Sequence, residues 1–307
     1  MDQLHLMTVF IAVAEEQGFA PAARRLNMSP PAVTRAIAAL EDKLGIKLLT
    51  RTTRYVRITE AGARYLEDSR RILGAVEQAN EAAIGINSEP KGHLTVTAPV
   101  LFGQKYVMPG VVEYLNTYTE TQVDAVFLDR VVNLLEEGFD VGIRIGQLPD
   151  STLHAKTVGE VRLVLVASPE YLARYGIPQT PEALKQHTLI ASSAGNMTHD
   201  WQFSGLQQKQ KDKQKGKQTI RIQPRLTVTS NQAAIDAAKA GLGIARLISY
   251  QVADELEDAR LETILSDYQL PAMPVHIIHR EGRMASSKVR CFIDLMAQRL
   301  REDKTLN

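Results

Sequence analysis

The chain has 307 residues, 44% of them hydrophobic, with 36 Lys and Arg against 35 Asp and Glu. That length and apolar content suffice for two or three domains with cores of their own. Cys291 is the single cysteine, which excludes a disulfide framework and any multi-cysteine metal site and fits a reducing cytoplasm.

The opening stretch, MDQLHLMTVFIAVAEEQGF, is a short apolar run with acidic residues on both sides and no basic segment ahead of it. It reads as neither a secretory signal nor a membrane span. Leu4, Met7, Phe10, Ile11 and Ala14 predict an amphipathic helix that completes a small core.

Residues 19 to 45 read as two short helices around a tight turn at Asn27 to Ser29. Phe19, Ala22, Ala23 and Leu26 on the first helix, and Val33, Ile37, Leu40 and Leu44 on the second, fall at helical spacing and can share one core. Ser29 is placed as an N-cap whose hydroxyl accepts from the Ala32 amide, and Pro30 and Pro31 fill first-turn positions where a missing N–H is harmless. With Val33 and Ile37 inward, Pro31, Thr34, Arg35 and Ala38 face outward at the end that a recognition helix inserts into the major groove.

Gly45 stops that helix, and IKLL (46 to 49) and VRI (56 to 58) predict two strands of a wing whose turn carries Arg51 and Arg54. Between Ala20 and Ile58 stand Arg24, Arg25, Arg35, Lys43, Lys47, Arg51, Arg54 and Arg57 against Glu41 and Asp42. A solvated surface is the plain alternative. The coincidence with a capped helix-turn-helix favours phosphates or a minor groove as partners.

Thr59 to about Asn87 predicts one long helix, capped by Thr59. Tyr65, Ile72, Ala79 and Ile86, offset by Ser69, Val76 and Ala83, form a narrow seam that suits pairing with the same helix of a second subunit. Packing onto its own chain is the alternative. SEPKGH (88 to 93) makes a hinge.

From Leu94 the signals alternate as in an α/β sheet. Strands are expected at 94–100, 123–128, 139–146, 162–168, 188–193, 225–230, 243–248 and 274–280. Helices are expected at 106–118, 131–138, 231–241 and 286–303. The segment LQQKQKDKQKGKQ (206 to 218) cannot build core and reads as a mobile hairpin tip.

The block AARRL…SPPAVTRAIAALEDKLGIKLLTRTTR…ITEAG, with EEGFDVGIRIG, VASPEYL and AIDAAKAGLGIARL, resembles the LysR-type transcriptional regulators over essentially the full length. The resemblance implies a winged helix-turn-helix, a linker helix that makes a homodimer, and a two-lobed α/β effector domain like a periplasmic binding protein. It also implies a homotetramer or larger particle, double-stranded promoter DNA and a small-molecule effector as partners, RNA polymerase as a further contact, a cytoplasmic location, and no cofactor. Many members carry Gln after the turn serine where this chain has Pro30. A base contact of that glutamine therefore does not transfer, and specificity leans on Ser29, Pro30, Pro31, Thr34, Arg35 and the wing residues Lys47, Arg51 and Arg54.

The expected division is 1–58 for the DNA-binding domain, 59–91 for the linker and hinge, and 92–307 for the effector domain. Its first lobe takes 92–161 and 268–307, its second 162–267. Ligands in such sheets sit outside strand ends and at helix N-termini. Candidates on that geometry are Ala98, Pro99, Val100, Phe102, Asp129, Arg130 and Arg144 in the first lobe. Ser192, Ser193, Trp201, Ser230 and Asn231 are candidates in the second. Plain alternatives stand beside three of them: Trp201 and Phe203 as strand packing, Ser230 as a helix cap, and Arg144 paired with Asp140 or Asp129.

An enzyme is the rival class. The seven histidines are scattered, with no metal-ligand spacing, and there is no GxSxG or phosphate-binding loop. GLGIAR (241 to 246) follows a helix rather than a strand, which fails the test for dinucleotide binding. A solute-binding, small-molecule sensor without a transcriptional role is the better alternative for residues 92 to 307.

Overall fold

The computed structural model describes residues 2–51, 56–84, 89–148, 153–194, 199–205, 217–280 and 285–306, with backbone alone at 51, 77–79 and 81–84. The chain forms two compact units, Met1–Ser88 and Glu89–Asn307.

In the first unit, α1 (Gln3–Glu15), α2 (Phe19–Arg25) and α3 (Pro30–Leu44) precede an antiparallel pair, β1 (Leu49–Arg51) and β2 (Val56–Ile58), and then α4 (Glu60–Ile84). Leu6, Val9, Phe10 and Val13 of α1 bury against Ala22, Ala23, Val33, Ile37, Leu40 and Leu48. The expected α1 stripe is thus rotated: Leu4, Ile11 and Ala14 are half-buried, whereas Leu6, Val9, Ala12 and Val13 are sealed. The cause is that α1 packs against α2, α3 and α4 together, so its apolar surface is wider than one stripe.

The first wing strand also begins later than expected. Gly45 takes the left-handed conformation (φ 68°) that closes α3, and the Ile46 amide donates back to the Glu41 carbonyl. The Leu48 and Leu49 amides bond the Glu41 side chain, so the strand pairs only from Leu49.

Thr59 caps α4 as expected, its Oγ1 accepting from the Gly62 amide at 2.9 Å. The seam divides along its length. The Tyr65 ring stacks on Phe10 at 5.6 Å and its hydroxyl accepts from Gln3, and Ser69 is fully buried, so both serve the unit's own core. Further along, Ile72 is 38% exposed and Val76 half-buried. Ala79 and Ala83 lie where side chains are not described, and Ile86 lies outside the described residues.

In the second unit, β3 (Gly92–Ala98) leads into α5 (Val100–Phe102), a π-helical turn (Gly103–Val107) and α6 (Met108–Thr117). Helix therefore begins six residues before the expected Tyr106. Then come β4 (Thr121–Phe127), β5 (Val141–Ile145) and β6 (His154–Val161), followed by β7 (Leu163–Ala167), α7 (Pro169–Tyr175) and β8 (Leu189–Ser192). The chain continues through β9 (Asp200–Ser204), β10 (Lys217–Arg221), β11 (Leu226–Val228), α8 (Asn231–Lys239), β12 (Ile244–Ile248), α9 (Ala253–Glu257) and β13 (Glu262–Ile264). It ends on β14 (Met273–His279) and α10 (Ser287–Glu302).

Two five-stranded sheets result, in the orders β4-β3-β5-β14-β6 and β11-β8-β12-β7-β13. The chain leaves the first sheet at Val161, enters the second at Leu163, and returns with Met273. The helix expected at 131–138 is a single turn. Asn133 Oδ1 accepts from the Leu135 amide, the Glu137 amide returns to the Asn133 carbonyl, and Gly138 at φ 74° ends it. Strands β6, β9, β10 and β13 were not among the expected strands; of the expected hairpin tip at 206–218, Lys217 and Gln218 belong to β10 and 206–216 lie outside the described residues. The burial along β13 is that of an edge strand with one sealed residue, Ile264, which leaves no period to read.

Candidate nucleic-acid interface and effector cleft

Asn27 adopts φ 51°, which folds the turn tightly enough for the Met28 amide to reach the Ala23 carbonyl at 2.9 Å. Ser29 is the N-cap of α3, but through its backbone. Its carbonyl accepts from Ala32 and Val33 at 2.9 and 3.2 Å, and its hydroxyl makes no cap bond, contrary to the sequence reading. Two consecutive prolines already remove the first donors that a side-chain cap would satisfy.

Ser29, Pro30, Pro31 and Arg35 are exposed and Thr34 is half-buried. No acidic residue stands in the first turn, so the positive end of the helix dipole is uncompensated. Arg35 makes no ion pair with a described residue; the same holds for Arg24 and Arg57. Arg25 is engaged by Glu15 at 2.7 Å, and Lys43 donates to Gln3.

Glu41, counted in the sequence as a surface acid, is buried. One oxygen accepts from the Leu48 and Leu49 amides at 3.0 and 3.1 Å, and the other receives Lys47 at 2.7 Å. Burial raises its carboxyl pKa, but Lys47 and the two amides outweigh that and hold it below the ordinary carboxylate range. Glu41 thus ties the wing to the recognition helix, and Lys47 is partly committed to it. The side chain of Arg51 is not described and Arg54 lies outside the described residues.

In the second unit, Leu101 packs against the cores of both lobes. Tyr250, just past β12, inserts beside Phe102 and Tyr106 at ring distances of 5.1 and 5.9 Å. Lys105 pairs with Asp254 at 2.5 Å, and the Arg162 amide donates to Ser249 Oγ. The carboxyl end of β3 therefore faces the carboxyl end of β12, with these contacts as the seam between the two sheets.

The candidates sort along that seam. Pro99, Val100, Asp129 and Arg144 are half-buried at strand ends of the first sheet. Asp129 accepts from the Val100 amide at 3.0 Å and so caps the short helix. Ala98 and Phe102 are corrections: both are fully buried, the first beneath the sheet and the second in the aromatic cluster, and neither meets an open cleft.

Arg144 pairs with neither proposed carboxylate. Asp140 instead holds Arg280 at 3.0 Å and accepts from the Thr95 amide. Arg144 Nη1 donates to its neighbour's carbonyl at 2.9 Å and its Nη2 is buried without a partner. Burial pushes this guanidinium down, with Glu137 opposing and Arg130 adding to the fall.

In the second sheet, Ser193 Oγ donates to the Val228 carbonyl, Ser192 Oγ accepts from the Ala194 amide, and Ser230 caps α8 through Ala233. Asn231 is half-buried in the first turn of α8. Trp201 is a correction as well. It is 3% exposed in the core between β9 and the second sheet, so strand packing accounts for it. The glycines of GLGIAR serve packing. A Cβ on Gly243 would strike the Thr188 carbonyl, and Gly241 ends α8 at φ 76°.

Three residues escaped the sequence reading: Glu41, Tyr250 and Arg246. Only Arg246 carried a signal, since a charge alternates with Ile244 and Ile248 on one face of an apolar strand.

An exposed recognition helix with no acidic residue in its first turn and a wing, followed by two α/β sheets, defines a DNA-binding regulator with an effector-binding domain. The comparisons agree over nearly the whole chain. Residues 4–63 match the family described as bacterial regulatory helix-turn-helix protein, lysR family, and residues 87–301 match the LysR substrate binding domain. The chain belongs to the LysR family of transcriptional regulators.

It is 32% identical to an HTH-type transcriptional regulator of Haemophilus influenzae, covering 94% of this chain and 98% of that one. It is 31% identical to the HTH-type transcriptional activator AaeR of Escherichia coli, covering 96% and 93%. Among solved structures, CrgA of Neisseria meningitidis is similar at 28% identity and a TM-score of 0.60, covering 96% of this chain and 98% of that one. The virulence activator AphB of Vibrio cholerae is similar at 26% identity and a TM-score of 0.60, covering 97% and 99%.

Proposed function

We propose that residues 1–58 read operator DNA through Ser29, Pro30, Pro31, Thr34 and Arg35 in the major groove, while Lys47, Arg51 and Arg54 hold the backbone or minor groove. Residues 59–91 pair two chains, and an effector binds between the lobe of 92–161 with 268–307 and the lobe of 162–267. Larger assemblies of such dimers, and contact with RNA polymerase, belong to the same reading. No helix among the described residues is long and apolar enough to cross a membrane.

The observation that carries the DNA reading is the bare N-terminus of α3, with Arg35 exposed and without an ion pair to any described residue. A cation held free beside an uncompensated helix dipole is built to meet an anion or a base edge. Arg35→Ala should cost about 1 to 3 kcal/mol on the cognate site and little on random duplex. Equal losses on both would remove Arg35 from base readout. The effector reading rests on Pro99, Val100 and the half-buried Arg144 at strand ends of one sheet that meets the strand ends of the other.

A further inference from the structure

Arg246 sits in mid-strand on β12, in register with Leu165 of β7. Its guanidinium lies over the Trp201 indole, 4.9 Å from the ring centre. It forms no hydrogen bond or ion pair with a described residue, and its Nη1 is sealed from solvent without a partner. Burial alone pushes its pKa down to about 10. A charge partly removed from water, with no counter-charge among the described residues, is costly, and a stack on one aromatic ring recovers a part of that cost.

A cavity opens beside this side chain, lined by Leu163, Phe203 and Ile264 and by the polar Gln202, Tyr268 and Gln269. No carboxylate is among its described lining residues. Its unfilled space is about 280 Å³, counted out to where it opens to solvent. What enters is the tip of a molecule rather than its bulk. Leu163 and Gln269 stand next to the two passages between the sheets, and none of the seam residues named above lines the cavity.

We propose that this cavity is a carboxylate site, in which Arg246 receives the head of a small organic monoanion whose apolar body extends out of the cavity mouth. One guanidinium supplies one positive charge, and the remaining described lining is apolar, amide or the Tyr268 phenol, so a monoanion is neutralised there. A phosphate dianion would keep an uncompensated charge in the same apolar surroundings. The site itself stands on the Arg246 geometry; its coupling to DNA rests on the effector reading given above.

Trp201 is the chain's sole tryptophan and lies against the Arg246 guanidinium, so its emission reports on a change at that side chain. The full chain is titrated with butyrate and phenylacetate, with their neutral amides, and with inorganic phosphate. A saturable change is expected with a carboxylate, none with its amide, and binding weaker by about tenfold or more in Arg246→Met. Ligand-free Arg246→Met should be at least as heat-stable as the parent, because an apolar side chain of similar length replaces a charge that no described residue pairs. An arginine kept for its stack on Trp201 would instead give a less stable variant.

Response to the amides, unchanged response in Arg246→Met, saturation by phosphate but by neither carboxylate, no saturable response at all, or a destabilised variant would each overturn the assignment. The readout does not pass through DNA. A saturating titration that left operator affinity unchanged would keep the carboxylate site and refute its role as an effector site.

Discussion

Replacing Glu41 by alanine should loosen the wing from the recognition helix. The variant leaves the Leu48 and Leu49 amides without their acceptor and releases Lys47. A hydrogen bond to a charged group is worth about 1.5–3 kcal/mol, and the freed amides regain some water, which sets the expected loss at about 2–4 kcal/mol. Lys47 is 76% exposed, so its share is small. Glu41→Gln keeps an oxygen for the amides and loses the charge, for a smaller cost of about 1–2 kcal/mol.

The pH dependence has a definite sign. The folded carboxyl sits below its unfolded value, so its contribution is present above the unfolded pKa of about 4.3 and is lost as pH falls through the folded pKa. Denaturant unfolding of parent and variants from neutral pH into acid measures both effects. The gap between parent and Glu41→Ala should be full at neutral pH and close in acid. A variant within about 0.5 kcal/mol of the parent at neutral pH would show that the wing is not held this way.

Ile72→Asp or Val76→Asp should split the dimer, which sedimentation resolves; a variant that stays dimeric and binds its operator normally refutes the seam. Val100→Trp should abolish the effector-induced change in footprint while leaving basal operator affinity nearly intact, and a normal ligand response would remove Val100 from the cleft. Gly62→Ala places a methyl group against the Leu48 carbonyl, beneath the wing, and should cost about 1–3 kcal/mol in thermal unfolding. Asp140→Ala strands the half-buried Arg280 and the Thr95 amide, for a loss of about 3–5 kcal/mol, and an unaffected melting curve would contradict that pairing.

The helix-turn-helix was legible because each signal was local: apolar spacing, two prolines after a serine, a glycine stop. Where the sequence reading failed, side-chain hydrogen bonds that apolar spacing does not register decided the outcome. The 131–138 stretch has helical spacing, yet Asn133 and the Arg130–Glu137 clamp hold it as one turn. Glu41 reads as a surface acid because the amides it serves lie seven and eight residues away.

Strand ends pointed to a cleft region, but alternation could not say which side chains turn inward. Ala98, Phe102 and Trp201 therefore passed as ligand contacts although the core claims them. Tyr250 follows a strand and carries no pattern of its own; its place in the opposite lobe's core is fixed by Phe102 and Tyr106.

The central claim, that this chain reads DNA sequence through α3, is tested most directly by enriching operator sites from a random duplex pool with the full chain. Affinity for the enriched site and for a scrambled duplex is then measured across a salt series. The account predicts that both affinities fall linearly with log salt, and that the enriched site binds at least about 10³-fold more tightly than the scrambled one. Failure to enrich any sequence, or equal affinity for the two duplexes, would contradict it.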